Sequence, residues 1–447
     1  MLALQREAII KIGLDQEGVG AYRIVTCRGE LCCCSSLGLA SIQRHIGILP
    51  TLTNRSRLNW GFSRVHADRI VRNFYVFRSH LGRVQGTCLI SLGSLFSRKA
   101  PTMLGLDISS SSVKLVELDR NAAGVYILER CAIEPLERGW ITDGNIEKFD
   151  EVVEAVRREK KKSGTRTKNV AMALPPSAVI TKKIVLPGGL SEEELEAQVE
   201  SEANQYIPFS LDEVSLDFCV IGPNAATEGD VDVLIAASRK DKVQDRQALA
   251  EAVGLKSLIL DVESYASRLA TSRLIASLPD QGEGAVVALF EIGAHATSMQ
   301  VIRNDEVLYD RDQAFGGAQL SQLIVRQYGF TAEEAETKKR NGELPEDYAS
   351  GVLQPFVQNM AQEISRALQF FFTSTPHNHV DYVMLAGGSS ALSGLTDAVA
   401  QQTSCPCNVV DPFEGMEMGG SVRENKLRRE APSSLTSCGL AMRRFLL

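Results

Sequence analysis

The sequence predicts an α/β protein built from two related lobes. Three observations carry this. From Pro101 onward, short apolar runs alternate with helical patterns and turn residues. An apolar strand, a small-residue turn and a second strand occur twice, at Asp107-Ile108-Ser109 and again at Glu291-Ile292-Gly293. The two copies lie 184 residues apart, too far for a solenoid unit and suited to a duplicated lobe.

The elements follow in order. MLGLDI and VKLVEL read as strands around a run of four serines. A helix is expected over about 146–161, then a strand VAMAL at 170–174. Ser191-Glu192-Glu193-Glu194 is a capping box: the hydroxyl takes the Glu194 amide, and the Glu194 carboxylate reaches back. The helix it opens carries an apolar face of Leu195, Val199, Ala203 and Tyr206, and Pro208 stops it. Val214, Leu216, Phe218 and Val220 alternate as a half-buried strand, and VDVLIAAS (231–238) is another. A helix over 240–253 ends at Gly254, strand 255–262 leads into helix 264–275, and Pro279–Gly284 reads as a linker. After the second copy of the opening pattern (285–304) come helices near 318–328, 332–341 and 352–373. Strand VDYVMLA (380–386) meets Gly387-Gly388-Ser389 and a helix, and a last helix ends near Phe445.

Composition bounds the function. The 447 residues carry a net charge of −7, with 44% apolar residues and ordinary Gly and Pro content. No apolar run reaches the ~18 residues of a membrane-crossing helix. The charge is uneven, because residues 1–102 hold 14 Lys+Arg against 5 Asp+Glu. That segment also holds five of the ten cysteines (Cys27, Cys32, Cys33 and Cys34 among them) and His45, His66 and His80. It shows no period of 2 or 3.6 and so offers no face to bury. A metal module needs paired ligands, which consecutive cysteines and scattered histidines do not supply. A transit peptide fits the Arg-rich, acid-poor composition but lacks a repeated amphipathic helix. The favoured expectation is upstream nucleotide sequence translated from a start placed too early, so that residues 1–91 are non-native and disordered. The five cysteines that remain are scattered, as suits a reduced cytoplasm.

The motifs that carry chemistry are turns. In Asp107-Ile-Ser-Ser-Ser-Ser112, small side chains let backbone N–H groups and hydroxyls approach phosphate oxygens. Lys114 can add a positive charge there, and Asp107 can hold a hydrated Mg²⁺. Alone, this turn or Glu291-Ile-Gly-Ala294 is an ordinary hairpin; facing each other, the two can clasp one triphosphate. Gly387-Gly388 after a buried strand suits a helix N-terminus against a flat or charged group, or packing alone. Walker A and Gly-x-Gly-x-x-Gly patterns are absent. Cys405-Pro-Cys407 and His377-Asn-His379 are isolated pairs, read as loop residues. The basic stretches Arg157–Lys162 and Arg423–Arg429 read as solvated faces in an acidic chain, which disfavours nucleic-acid binding.

Two phosphate hairpins and a late strand–Gly-Gly motif in this order resemble the superfamily of actin, the heat-shock chaperone ATPases and FtsA. More narrowly, the chain resembles the PilM family, the actin-like proteins of type IV pilus assembly. The segments are LGLDISSSSVKLVEL (104–118), LPGGLSEEELEAQVESEANQYIPF (186–209), VDVLIAASRKDKV (231–243), LDVESYASRLA (260–270), FGGAQLSQLI (315–324), LQFFF (368–372), VDYVMLAGGSSALSGL (380–395) and SCGLAMRRF (437–445). The likeness covers roughly 92–447, and it places the native start near 89–95.

The resemblance implies an actin-like ATPase fold of duplicated ribonuclease-H-like lobes with an FtsA-type 1C insertion. Subdomain 1A would be 92–177 with 255–284, 1C would be 178–254, 2A would be 285–316 with 380–447, and 2B would be 317–379. The last helix would return to 1A. ATP with Mg²⁺ would lie between the lobes. Asp107, Ser109, Ser110, Ser111 and Lys114 match the first phosphate loop, and Gly293 and Ala294 the second. Gly316 and Gly317 match the glycines beside the ribose. Glu336 and Lys339 match the 2B helix that contacts sugar or base, and Gly387, Gly388 and Ser389 the adenosine motif. Glu263 takes the position that orients the attacking water; if catalysis occurs, Glu263 and Glu291 would position that water, and Asp107 and Glu291 would hold the hydrated metal. Ser109 stands where Gly is usual and Glu291 where Asp is usual. Misplacement of about 1 Å can cost roughly 100-fold in rate, so ATP binding is expected ahead of efficient hydrolysis.

The partner the resemblance implies is the cytoplasmic N-terminal segment of PilN, in a groove near 1A and 1C. The protein would be a cytoplasmic scaffold, peripheral at the inner membrane through PilN, linking the alignment complex to the pilus motor; it carries no nucleic-acid partner, and a homo-oligomer stays open. A sugar or acetate kinase on the same fold is the alternative.

Overall fold

The computed structural model describes residues 10–11 and 101–446. Apart from Ile10–Lys11, the expectation for residues 1–91 lies outside the described residues.

The first sheet grows from the predicted hairpin. Strands β1 (Met103–Ile108), β2 (Ser112–Arg120) and β3 (Tyr126–Pro135) form an antiparallel meander. Helix α1 (Phe149–Ser163) then crosses over to β4 (Asn169–Leu174), parallel to β1. Further along the chain, β8 (Lys256–Val262) lies parallel to β4, with Ile10–Lys11 antiparallel beside it. The second sheet repeats the plan: β9 (Val287–Ile292), β10 (Thr297–Arg303) and β11 (Glu306–Gln313) form a meander. Strands β12 (Tyr382–Ala386) and β13 (Cys407–Val409) then add in parallel beyond β9. Both sheets run meander first and then two parallel strands, so the duplication read from Asp107 and Glu291 is one of topology.

Between β4 and β8 lies a separate three-stranded antiparallel sheet. It contains β5 (Val179–Pro187), β6 (Val214–Pro223) and β7 (Asp230–Arg239), with β7 in the middle. Helix α2 (Glu192–Tyr206) covers one face, and Val199 and Ala203 pack with Ile184, Leu186, Val233 and Ile235. The capping box forms, with Ser191 Oγ accepting the Glu194 amide at 3.3 Å and Glu194 Oε2 accepting the Ser191 amide at 2.8 Å. Two expectations change here. Tyr206, the last residue of α2, is exposed, with its ring under the ammonium of Lys182 on β5 at 4.9 Å, so it meets a charged side chain there and not the apolar core. Strand β6 is covered on both faces, since Ser215, Asp217 and Cys219 are buried as well.

The expected insertion 178–254 is also too long. Helix α3 (Lys240–Ala252) sends Val243, Leu249 and Ala250 into the core of the first sheet, with Leu104, Leu115 and Val152, so the inserted unit ends near Arg239. Residues 317–379 likewise form no core of their own among the described residues. Helices α5 (Ala318–Tyr328), α6 (Ala332–Asn341) and α7 (Gln354–Ser374) share one core with the second sheet, centred on Phe290, Met299, Phe356 and Phe371.

Two helices lie between the sheets. Helix α4 (Glu263–Ile275) follows β8 directly, and α10 (Leu435–Met442) comes last, after α8 (Leu395–Thr403) and α9 (Glu424–Glu430). Helix α10 approaches so closely that a Cβ on Gly439 would stand 1.8 Å from the Ala266 carbonyl oxygen. One on Gly105 would stand 2.0 Å from the Ser437 carbonyl oxygen. Beyond α10, the fully buried Arg443 pairs with Asp261 at 2.5 Å.

Candidate functional site

The first loop sits at the end of β1. Asp107 faces Lys114 across the hairpin, and Lys114 Nζ lies 2.6 Å from Asp107 Oδ2 and donates to Ser109 Oγ at 2.9 Å. Ser109 closes the turn through its amide and hydroxyl, both donating to the Ser112 carbonyl. The hydroxyls of Ser110 and Ser111 make no hydrogen bond among the described residues, and both residues are at least partly open to solvent. Lys114 is thus buried and already satisfied within its own hairpin.

The second loop is built by close backbone contact among three separate segments. The Gly293 carbonyl accepts the Gly317 amide at 3.0 Å and the Ser389 hydroxyl at 3.3 Å, and the Ala294 carbonyl accepts the Ala318 amide at 2.8 Å. A side chain on Gly316 would collide with both carbonyl oxygens, at 2.6 and 2.7 Å. Gly387 has φ +88°, and a Cβ there would stand 2.4 Å from the Ile292 carbonyl oxygen. Only glycine meets both demands. Residues 293–294, 316–317 and 387–389 therefore converge at one end of the second sheet. The helix expected directly after Gly387-Gly388-Ser389 starts instead at Leu395, because Ser390 turns the chain by donating to the Gly387 carbonyl at 2.8 Å. Gly388 does not abut a helix N-terminus.

Glu336 and Lys339, one turn apart on α6, meet a residue that sequence reasoning missed. Ser321 Oγ on α5 donates to Glu336 Oε2 at 2.7 Å and accepts Lys339 Nζ at 2.7 Å. Burial works to raise the Glu336 carboxyl, but Lys339 and Ser321 outweigh it and hold the group below its ordinary range.

Glu263 opens α4 and Glu291 lies near the end of β9. With Ser264, Ser267, Ser298 and Gln300 they line a cavity of about 30 Å³ between the sheets. Burial, and then the Asp107 charge, push Glu263 up to about 8. Burial also raises Glu291, against hydrogen bonds from Ser267 (2.7 Å to Oε2) and Thr436 (2.8 Å to Oε1). A second missed residue is Arg246, 3% exposed on α3, whose charge reaches Glu263 and Asp107 and whose Nη2 donates to the Gly144 carbonyl at 2.8 Å. Sequence gave no signal for Arg246, Ser267 or Thr436 beyond an ordinary place in a helix. Among the described residues, no three His, Cys, Asp or Glu side chains are arranged to ligate a metal directly.

Cys405, Cys407, His377 and His379 stay away from this site. His379 Nε2 lies 3.9 Å from Asp381, and the Cys405 thiol donates to the Val380 carbonyl at 3.4 Å.

Comparison with known proteins bears on nearly all of the region from residue 101 onward. Residues 105–445 match the family model of the type IV pilus assembly protein PilM. Among solved structures, the chain is similar to a PilM–PilN type IV pilus biogenesis complex, at 27% identity and a TM-score of 0.63, over 76% of this chain and 98% of that one. It is also similar to the ethanolamine utilization protein EutJ from Carboxydothermus hydrogenoformans (16% identity, TM-score 0.46, 76% of this chain and 89% of that one). MreB5 of Spiroplasma citri bound to AMPPNP matches at 12% identity and a TM-score of 0.41, over 76% and 95% of the two chains. The fold is the actin-like ATPase fold, and the chain belongs to the family of the type IV pilus assembly protein PilM.

Proposed function

We propose that this protein binds Mg–ATP between its two sheets and serves type IV pilus assembly as a scaffold. Its partner on this reading is the cytoplasmic N-terminal segment of PilN, held in a groove near the inserted subdomain, which keeps the protein at the cytoplasmic face of the inner membrane. Through PilN it joins the inner-membrane alignment complex to the pilus motor. The observation that carries the nucleotide reading is the convergence of the glycine turns at 293–294, 316–317 and 387–389. Their backbones pack without side chains at the end of β9, and Glu291 on that strand feels the charges of Asp107 and Lys114 from the first sheet. The likeness to the PilM–PilN complex supports the choice of partner.

The residues fit a hydrated divalent cation. Asp107, Glu263 and Glu291 bring three carboxyl groups into one cleft, where burial and mutual repulsion work against the charged forms of Glu263 and Glu291, and a cation held through water would stabilise those forms. Mg²⁺ when bound would neutralise phosphate charge. Asp107 and Glu291 would hold it through water, while Lys114, released from Asp107, would turn to the phosphates. The amides and free hydroxyls of Ser110 and Ser111, held in place by the turn that Ser109 closes, would cradle the phosphate oxygens, and the Ala294 amide would do so from the other side, beside Gly293, whose own amide is taken by the Ala296 carbonyl. Gly316, Gly317, Gly387, Gly388 and Ser389 would leave room for the nucleoside, with Glu336 and Lys339 at the sugar or base.

The same geometry favours binding over turnover. Without a cation Glu263, pushed up to about 8, keeps its proton at neutral pH and is a poor base for an attacking water. Both oxygens of Glu291 are engaged by hydroxyls. The likeness to a pilus assembly protein over residues 105–445 does not favour a small-molecule kinase.

Titration of a fluorescent ATP analogue with Mg²⁺ tests the site. Lys114→Ala and Gly387→Trp are each expected to weaken binding at least about tenfold, on the scale of one lost charged contact. Unchanged affinity in both folded variants overturns the assignment.

A further inference from the structure

The two basic stretches that look like separate solvated faces in the sequence come together in the structure. Residues 157–168 hold seven Lys and Arg against a single acid, Glu159, which is fully buried. This run covers the end of α1 and the loop into β4, and Arg157, Arg158, Lys161, Lys162, Arg166 and Lys168 are all exposed. Arg158 and Lys162 share Glu134, and Arg157 pairs with Glu154. Lys161, Arg166 and Lys168 have no ion-pair partner among the described residues, so the patch keeps a surplus of positive charge. Crowding shows at Lys160, whose ammonium is lowered by burial and then by Lys168.

Arg130 on β3 ties the second stretch to the first. Its Nη1 donates to the Ser163 carbonyl at 3.3 Å, at the end of α1, and to Ser421 Oγ at 3.2 Å. Ser421 in turn donates to the Glu129 carbonyl at 2.6 Å and brings the exposed Arg423, two residues on, to the same sheet edge.

We propose that this face docks on an anionic phospholipid bilayer. Its cations are spread over a helix end, a loop and a strand edge, which suits a field of headgroups rather than one ligand. Protein interfaces centre on buried apolar or aromatic anchors. No exposed large hydrophobic residue lies between 150 and 168. Binding of single-stranded nucleic acid leans on aromatic stacking, and that stretch holds no aromatic residue. Clusters of four to eight Lys and Arg at a membrane surface gain about 1 kcal/mol each from anionic lipid. The residues from 103 onward carry a net negative charge, so the rest of the surface is repelled and the molecule is oriented. The inference goes beyond the nucleotide reading and does not depend on it.

The test is co-sedimentation of the full chain with vesicles of phosphatidylcholine alone or with added phosphatidylglycerol. Binding is expected only with the anionic lipid, and raised salt weakens it. The combined variant Lys161→Glu, Arg166→Glu and Lys168→Glu is expected to lower the partition at least about tenfold. Arg303→Glu, Arg326→Glu and Arg366→Glu, an equal charge change on the second lobe, is expected to leave it within about twofold. No wild-type binding overturns the proposal. Equal losses in the two triple variants overturn it too, and assign any attraction to net charge or to the Arg-rich first hundred residues. Loss of binding to soluble polyglutamate in the first triple, with vesicle binding intact, makes the face a dock for acidic protein instead.

Discussion

At Asp217 one carboxyl oxygen accepts the Phe218 amide at 3.0 Å, while Oδ2 is buried with no hydrogen-bond partner among the described residues. Burial pushes this carboxyl from its ordinary 3.8 up to about 8. The native chain therefore keeps a proton that the unfolded chain releases. The stabilising contribution is complete below the unfolded value and is lost as pH rises through about 8. Asp217→Asn removes that loss. Urea denaturation is expected to show the variant more stable than wild type by at least about 1 kcal/mol at pH 8.5, with the two nearly equal at pH 4. An offset that is the same at both pH values contradicts the account. Single residues were unevenly legible in the sequence. The turn glycines and Asp107 stood out because their chemistry is local. Arg246, Ser267, Ser321 and Thr436 did not, because their partners come from other elements: Thr436 meets Glu291 across 145 residues.

Elements were legible where one periodic face meets one neighbour. The capping box of α2 and the two hairpins fall where the pattern put them. Periodicity says that a face is buried but not by what, which is why α3 was placed with the insertion although its apolar side packs on the first sheet. Burial on the second face of β6 was hidden for the same reason, since Ser215 and Asp217 read as solvent-facing. Helix α10 shows how tightly an element can be fitted. Gly439→Ala would drive a methyl into the Ala266 carbonyl of α4, and it is expected to cost at least about 1–3 kcal/mol. Gly420→Ala, where a Cβ meets nothing within 4 Å, is expected to stay within about 0.5 kcal/mol. Thermal denaturation of both variants checks this; equal midpoints would show that α10 has slack it is not drawn with.

At the scale of the whole molecule, the repeat of an acid, a small-residue turn and a hairpin is the mark of two sheets with one strand order. The duplication was legible because each copy is compact in sequence. The cleft between the copies was legible through the resemblance, but its lining was not, since that depends on α4 and α10, which bring Ser267 and Thr436 to Glu291. A cleft built this way can couple nucleotide to partner only if ligands bind its states differently. The most direct test of the scaffold is isothermal titration of the full chain with a PilN N-terminal peptide, with and without Mg–ATP. One peptide is expected to bind per chain, with an affinity that Mg–ATP changes by at least about fivefold, the low end of allosteric couplings. No binding in either condition contradicts it.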